Sequence, residues 1–158
     1  MVEYPFIPSI PVPGGGGRLF LAEGVAAVIE VKSDLAGQWN EAKATAASVH
    51  ALQRNINPTL AMSSSLGATI PVFAVGYKGW KSIDTAVERL LESDLSGVLM
   101  LENGIFIAKP EFFGGIKANG AYGMWTFIAV LHEAMSHIKM ADPSLLAYCK
   151  PDTRAVAP

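Results

Sequence analysis

Glu30 and Lys32 stand two residues apart at the end of the apolar stretch VAAVIEV. Side chains of a β-strand alternate between its two faces, so this spacing places the carboxylate and the amine on one face and Val31 on the other. An acid and an amine placed in this way can form a surface ion pair worth roughly 0–1 kcal/mol. The same groups can also serve metal-dependent hydrolysis, and the residues alone leave both interpretations open.

Hydrolysis at a metal ion would use each group of this segment differently. The Glu30 carboxylate is an oxygen ligand of the kind that hard divalent cations prefer, and the backbone carbonyl of Val31 could add a second oxygen. Lys32 would orient or deprotonate the attacking water, or stabilise the negative charge that develops on a phosphate group. The pattern therefore predicts phosphoester chemistry at the end of one strand.

Two other motifs resemble metal or nucleotide sites but have the wrong spacing. In HEAMSH, His132 and His137 are five residues apart. This separates them by roughly 140° on a helix, whereas a zinc-peptidase helix carries its histidines at i and i+4. GYKGWKS follows a predicted strand, but a phosphate-binding loop has a longer glycine spacing and a lysine directly after the second glycine. Neither motif predicts a zinc or nucleotide site.

The GYKGWKS segment does carry a small basic and aromatic patch. Lys78 and Lys81 alternate with Tyr77 and Trp80, and such a mixture can contact a nucleic-acid backbone and stack on bases. A plain strand-to-helix turn is the alternative interpretation. The net charge of −2 gives no general indication of nucleic-acid binding, although a local patch is sufficient for phosphate contacts.

Composition favours one folded intracellular domain. The chain has 158 residues, 51% hydrophobic and 16% charged, which is typical of a globular protein with its own core. The low charged fraction suggests that some apolar surface is covered by a partner, by a second copy or by chain outside this sequence, so a homo-oligomer is one of three interpretations. The single cysteine, Cys149, excludes an internal disulfide and fits a reducing compartment. No apolar run is long enough to cross a membrane and no signal peptide is recognisable, so we expect a cytoplasmic protein without a membrane partner.

The elements that must position Glu30 and Lys32 alternate between strands and helices. RLFLA and VAAVIEVK predict strands, and a helix follows over about residues 35–54, with Ser33 or Asp34 as its N-cap. IPVFAVGY then predicts a strand that is covered on both faces. A helix between two such strands implies a parallel, right-handed crossover connection.

The second half of the chain completes the predicted sheet. SIDTAVERLLES predicts a short amphipathic helix, and GVLMLENGIFIAK predicts a hairpin with a two-residue Asn103-Gly104 turn. A strongly apolar helix follows over about residues 122–140. The whole order predicts an α/β fold with a mixed central sheet flanked by helices. We expect a single domain over residues 1–150 and a flexible tail over residues 151–158.

The segment VIEVKS resembles the core of the PD-(D/E)XK nuclease superfamily, which has the restriction-endonuclease-like fold. The likeness includes the helix that follows this segment and the next apolar strand, IPVFAVGY. The wider pattern AEGVAAVIEVKSDL, together with the later hairpin GVLMLENGIFI, is similar to an uncharacterised branch of that superfamily, the DUF6602-type domains. The resemblance covers residues 1–108.

This resemblance implies a Mg²⁺- or Mn²⁺-dependent nuclease that hydrolyses phosphodiester bonds, with DNA as the expected substrate. It implies that Glu30 is a metal ligand, that Lys32 is the catalytic lysine, and that Gln38 supports them from the following helix. The superfamily also places an aspartate ligand on the preceding strand, but no aspartate precedes Asp34. Glu3 is the candidate in its place; otherwise this acid lies before the first residue of the sequence or has been lost.

A second interpretation keeps the fold without the reaction. The missing aspartate and the apolar composition favour a catalytically silent nuclease-like module that binds a partner or forms oligomers. A third acid within metal reach of Glu30 and Lys32 would distinguish the enzyme from the silent module. A third interpretation is an unrelated α/β protein in which the two residues form only a surface ion pair.

Overall fold

The protein is built around a six-stranded mixed sheet with α-helices on both faces. The computed structural model describes residues 1–4, 7, 9–54, 69–110 and 114–136. Its strands are β1 (Val2–Glu3), β2 (Ile10–Pro11), β3 (Arg18–Leu19), β4 (Val25–Asp34), β5 (Val72–Lys78), β6 (Gly97–Met100), β7 (Ile105–Ala108) and β8 (Lys117–Ala118). Its helices are α1 (Trp39–His50), α2 (Ile83–Leu91) and α3 (Ala121–Ser136).

The strand order of the central sheet is β1-β4-β5-β6-β7-β8. β4, β5 and β6 run parallel, with α1 and α2 as their connections, whereas β1, β7 and β8 are each antiparallel to their neighbours. The predicted mixed sheet flanked by helices is therefore present. β2 and β3 form a small separate hairpin around the glycine run at residues 14–17.

Each face of the sheet holds its own apolar core. The α1 and α2 side is filled by the residues Leu35, Trp39, Ala42, Ala46, Val72, Ala74, Ala86, Leu90, Leu95, Val98, Met100, Ile105 and Ile107. The α3 side is filled by Ala27, Phe73, Val75, Leu99, Phe106, Ala108, Phe127 and Val130. Successive residues of β5 alternate between these two cores, which confirms the prediction of a strand covered on both faces.

The first helix begins later than the sequence predicts. α1 starts at Trp39 instead of residue 35, and Gln38 is the residue before its first turn. The predicted N-cap at Ser33 or Asp34 is wrong. The carboxylate oxygen Oδ1 of Asp34 instead accepts hydrogen bonds from two backbone N–H groups of the intervening turn, at 3.1 and 3.2 Å. The aspartate thus stabilises a turn between strand and helix, and this turn displaces the helix start.

The hairpin between β6 and β7 has a longer turn than predicted. Pairing ends with Met100 opposite Ile105, so four residues, 101–104, form the turn instead of two. Gly104 has a φ of +61°, in the left-handed region that suits glycine.

The predicted RLFLA strand is shorter than expected. Only Arg18–Leu19 pairs with another strand, and residues 22–24 form a 3₁₀ turn.

The predicted tail at residues 151–158 and the predicted end of the third helix, residues 137–140, lie outside the described residues. In the ranges that the structure describes, no helix has the length and apolar character needed to span a membrane.

Candidate functional site

Glu30 and Lys32 meet on the face of the sheet that α1 covers. Lys32 Nζ lies 3.0 Å from Glu30 Oε1, and the two side chains are 15% and 25% exposed. The side chain of Val31 points to the opposite face and is largely exposed. The predicted sharing of one face is therefore confirmed, and the structure adds that the two charged groups are in direct contact and partly sheltered.

A third charged group, Glu41 in the first turn of α1, joins this pair. Its Oε2 atom accepts a hydrogen bond from Lys32 Nζ at 2.7 Å. This hydrogen bond, and then the one with Glu30, raises the pKa of Lys32 above its ordinary value. The hydrogen bond with Lys32 lowers the pKa of Glu41. Lys32 is therefore a protonated ammonium group held between two carboxylates at neutral pH.

The sequence predicts that Glu41 faces solvent, six positions into the helix, and its side chain is indeed 61% exposed. Because α1 begins at Trp39, Glu41 instead lies in its first turn, close to the end of β4. The signal that could have found it was the turn-forming Asp34, whose side chain competes with helix formation.

Gln38 supports the site through Glu41 and the strand end. Its Oε1 atom accepts hydrogen bonds from Ser33 Oγ at 3.3 Å and from the backbone N–H of Asp34 at 3.4 Å. Its Nε2 atom donates to Glu41 Oε2 at 3.5 Å. Gln38 therefore links the end of β4 to the carboxylate that holds Lys32, which is a positioning role.

The end of β4 is placed by a close approach to β5. Parallel pairing sets Glu30 opposite Ala74 and Lys32 opposite Gly76. A Cβ atom added at Gly76 would lie 2.6 Å from the Cβ of Leu35, so only glycine lets Leu35 pack over β5 into the core. The turn after β4 therefore folds back onto the sheet, and α1 starts above the Glu30–Lys32 pair.

Two oxygen donors of the kind that hard cations prefer lie at the end of β4. Glu30 has a second carboxylate oxygen beyond the one that contacts Lys32, and the backbone carbonyl of Val31 is one residue away. Mg²⁺ is commonly held by one or two carboxylates and keeps several waters. In the described part of the chain, no group of three or more histidine, cysteine, aspartate or glutamate side chains comes together. The residues present fit a Mg²⁺ ion held by few protein ligands.

Glu3 does not lie beside this pair. In the antiparallel ladder of β1 and β4, Glu3 is opposite Val25, five residues before Glu30 along the strand. Five residues of a strand span roughly 17 Å. Both carboxylate oxygens of Glu3 accept hydrogen bonds from Ser9, one from the backbone N–H and one from the hydroxyl, each at 3.1 Å. The structure thus gives Glu3 a different role from the second ligand that the sequence suggested.

The basic and aromatic patch lies at the same edge of the sheet. Lys78 is opposite Asp34 in the ladder, and both Lys78 and Lys81 are exposed. Trp80 is instead half-buried, and its ring stands edge-on to that of Trp39 with 4.9 Å between centroids. Lys78 thus faces solvent at the C-terminal end of β5, beside the end of β4, and Lys81 is exposed in the segment that follows, whereas Trp80 mainly supports the start of α1.

A buried arginine that sequence reasoning missed holds the other end of β4. Arg54 is 7% exposed. Its guanidinium donates hydrogen bonds to the backbone carbonyls of Val25 and Ala26 in β4. It also donates to the carbonyls of Ala22 at 3.3 Å and Thr69 at 3.1 Å. The first residues of β4 are thereby joined to the segment that leads into β5.

Comparison with known proteins gives no relative: no family profile, no curated protein and no solved structure matches the chain.

Proposed function

We propose that the protein is a metal-dependent nuclease of the PD-(D/E)XK type, with a restriction-endonuclease-like fold of the DUF6602-like branch. The observation that carries this proposal is the contact between Lys32 Nζ and Glu30 Oε1 at 3.0 Å. The pair stands near the end of a strand that a helix connects to a parallel neighbour, as the resemblance of VIEVKS to that superfamily implies. Hydrolysis of a phosphodiester bond, with DNA as the substrate, is the reaction that suits these groups.

Glu30 and the Val31 carbonyl would hold Mg²⁺ or Mn²⁺. When bound, the ion would activate water and stabilise negative charge on the phosphate. Lys32 is not the proton acceptor, because its two carboxylate partners raise its pKa and keep it protonated at neutral pH. Its positive charge is suited to stabilising the charge that develops on a phosphate oxygen. Gln38 and Glu41 would act through Lys32 as positioning residues.

The exposed lysines beyond the site would contact the substrate backbone. Lys78 ends β5 beside the end of β4, and Lys81 follows three residues later. Phosphate contacts by such exposed side chains position a nucleic acid without reading its sequence. Trp80 is packed against Trp39, so we assign its ring to the support of this loop.

One observation favours the silent module as a second candidate. Lys32 Nζ lies within 3.0 Å of one carboxylate and 2.7 Å of another, so its charge is already compensated inside the protein. A lysine held in this way can serve to fix α1 against β4, without any reaction. The fold would then act as a binding or oligomerisation module.

The test is cleavage of supercoiled plasmid DNA in the presence of Mg²⁺ or Mn²⁺ by the parent and by Lys32→Ala and Glu30→Gln. We expect metal-dependent cleavage that each substitution reduces by at least roughly 10²-fold, the effect of removing one group that stabilises transition-state charge. Arg89→Ala is the matched control, because Arg89 is an exposed cation of α2 that pairs with Glu92 at 3.7 Å.

Circular dichroism of each variant would confirm that the fold is kept. Equal cleavage by parent and both variants would identify a contaminant and overturn the proposal. No cleavage by a folded parent, together with no Mn²⁺ binding by calorimetry, would instead establish the silent module.

A further inference from the structure

One of the two edges of β4 is paired with a neighbouring strand over only part of its length. β5 pairs with β4 from Val28 to Asp34 on one side. On the other side, β1 pairs only opposite Val25 and Ala27. Within the described ranges of the chain, no strand pairs with the rest of this second edge.

The backbone groups at this open edge belong to odd-numbered residues. The N–H of Val28 donates to the carbonyl of Pro71 on the β5 side. The backbone N–H and C=O groups of successive residues point alternately to the two edges of a strand. Those of Ile29, Val31 and Ser33 therefore point to the edge opposite β5. The Val31 side chain is 71% exposed. An extended edge of this kind, with an exposed β-branched apolar residue, is a template for pairing with another strand.

We propose that a second copy of this chain pairs with this edge, antiparallel, with Val31 opposite the partner subunit's Val31. The argument is charge complementarity on the α1 face. In this register Glu30 lies opposite the partner subunit's Lys32, and Lys32 lies opposite the partner subunit's Glu30. These residues form non-hydrogen-bonded pairs, in which Cα atoms are about 4.5 Å apart and side chains are closest.

The charges also select this register over its neighbours. A two-fold axis at Glu30 would bring two carboxylates face to face, and an axis at Lys32 would bring two ammonium groups face to face. Like charges directly opposite one another are destabilising. Only a two-fold axis at Val31 places each charged side chain opposite one of the other sign. With this axis the odd-numbered residues of the two strands lie opposite one another, so that their backbones exchange N–H···O=C hydrogen bonds.

The opposite face of the sheet offers apolar surface to the same interface. Ile29 and Leu131 are partly buried in the same cluster, so this flank of α3 borders β4. Met124, Ile128 and Leu131 follow the i, i+4, i+7 spacing of one helical flank, and the first two are exposed. Strand pairing would place Val31 of both copies between two such flanks. The result is an isologous dimer with one continuous sheet across the two-fold axis.

The experiment is sedimentation equilibrium of the whole chain over a concentration series. We expect the parent to approach dimer mass, and Val31→Lys to weaken association at least roughly tenfold, because two lysines would meet at the axis. Val31→Thr is the control that keeps a β-branched residue and should associate like the parent.

A charge-exchange experiment tests the register itself. Glu30→Lys and Lys32→Glu each place like charges across the axis, so each variant alone should be monomeric. Mixed in equal amounts, they should form a heterodimer, because every opposing pair again combines opposite charges.

A parent that stays monomeric at its highest accessible concentration would overturn the proposal. A dimer of the parent that all three charged variants share would overturn it too and would assign association to another surface, with the exposed face of α3 as the next candidate. Slow hydrogen exchange of Ile29 and Val31 in a monomer would show that another segment of the chain covers this edge. None of these measurements involves metal or DNA, so a failure of the dimer can be distinguished from a failure of the cleavage test.

Discussion

Replacing Arg54 by alanine is the sharpest test of what holds β4 in place. Its guanidinium is almost fully buried and, among the described residues, donates to four backbone carbonyls, two of them in β4. Alanine would remove these hydrogen bonds in a space that water reaches poorly, although the carbonyl of Ala22 keeps a second one from the backbone N–H of Val25. The perturbation therefore tests whether the strand that carries Glu30 and Lys32 depends on one long-range side chain.

The expected magnitude follows from two opposing contributions. A hydrogen bond from a charged group contributes about 1.5–3 kcal/mol, and a buried carbonyl left unpaired costs about 1–3 kcal/mol. Against this, burial lowers the pKa of Arg54, which shows that the environment disfavours the charge, and the variant no longer has to bury it. We therefore expect a net loss of about 3–5 kcal/mol in the free energy of unfolding, the range for breaking the partners of a buried charge.

The assay is equilibrium unfolding in urea, because a loss of this size is a large fraction of the roughly 5–15 kcal/mol stability of a typical domain. Arg54→Lys should lie between the parent and Arg54→Ala, since one ammonium reaches fewer carbonyls than a guanidinium fork. Arg89→Ala, which removes an exposed arginine, should change stability by less than about 0.5 kcal/mol.

A loss below about 1 kcal/mol for Arg54→Ala would refute the reasoning, because it would equal the effect of an ordinary surface hydrogen bond. If Arg54→Ala does not fold, Arg54→Lys decides: a stability equal to that of the parent would show that the number of hydrogen bonds is unimportant.

Two further predictions concern pH and a close backbone contact. The Lys32 hydrogen bond lowers the pKa of Glu41 from its ordinary 4.5, so its stabilising contribution is complete above that pH and is lost as pH falls through the lowered pKa. The difference in urea midpoint between the parent and Glu41→Gln should therefore be present at neutral pH and disappear in strong acid; a difference that does not change with pH would contradict an ionic contact. Gly123→Ala should cost about 1–3 kcal/mol in thermal unfolding, because its Cβ would lie 1.8 Å from the carbonyl oxygen of Gly104. Gly16→Ala, which meets no atom within 4 Å, is the control, and equal effects of the two would exclude this explanation.

The faces of β4 could be predicted because alternation along a strand is a local property. The apolar run, the Glu-x-Lys spacing and the following helix were sufficient to place Glu30 and Lys32 together near a strand end. The mixed sheet followed from the order of strands and helices in the same way. The features that could be predicted from the sequence are therefore the periodicity of each strand and helix and their order along the chain.

The third group of the site depended on a boundary, which sequence patterns express poorly. Glu41 reaches Lys32 only because α1 begins at Trp39, and that start is set by hydrogen bonds of the Asp34 side chain. A shift of four residues turns a helix residue by roughly 40° and moves it by about 6 Å along the axis. An error of this size was enough to miss the contact between the exposed Glu41 carboxylate and Lys32.

The buried position of Arg54 could not be predicted from the sequence for a different reason. It lies in the polar segment LQRN, where an arginine is normally exposed. Its partners are backbone carbonyls, which have no signature in residue types, and they lie 15 to 32 residues away along the chain. A buried cation that donates to main-chain oxygens can be found from the folded structure and not from the pattern of side chains.

Metal binding and strand pairing make opposite demands on the Val31 carbonyl. As a metal ligand, this oxygen must face a cation and its waters; in the proposed dimer it accepts a hydrogen bond from the partner subunit's Val31. Pairing would also bring the partner subunit's Lys32 opposite Glu30, and a second ammonium beside that carboxylate disfavours a divalent cation. Because coupling between two binding events is reciprocal, the ion would weaken the dimer by the same factor by which the dimer weakens ion binding. Cleavage would then belong to the monomer, and a tight dimer through this edge would favour the silent module.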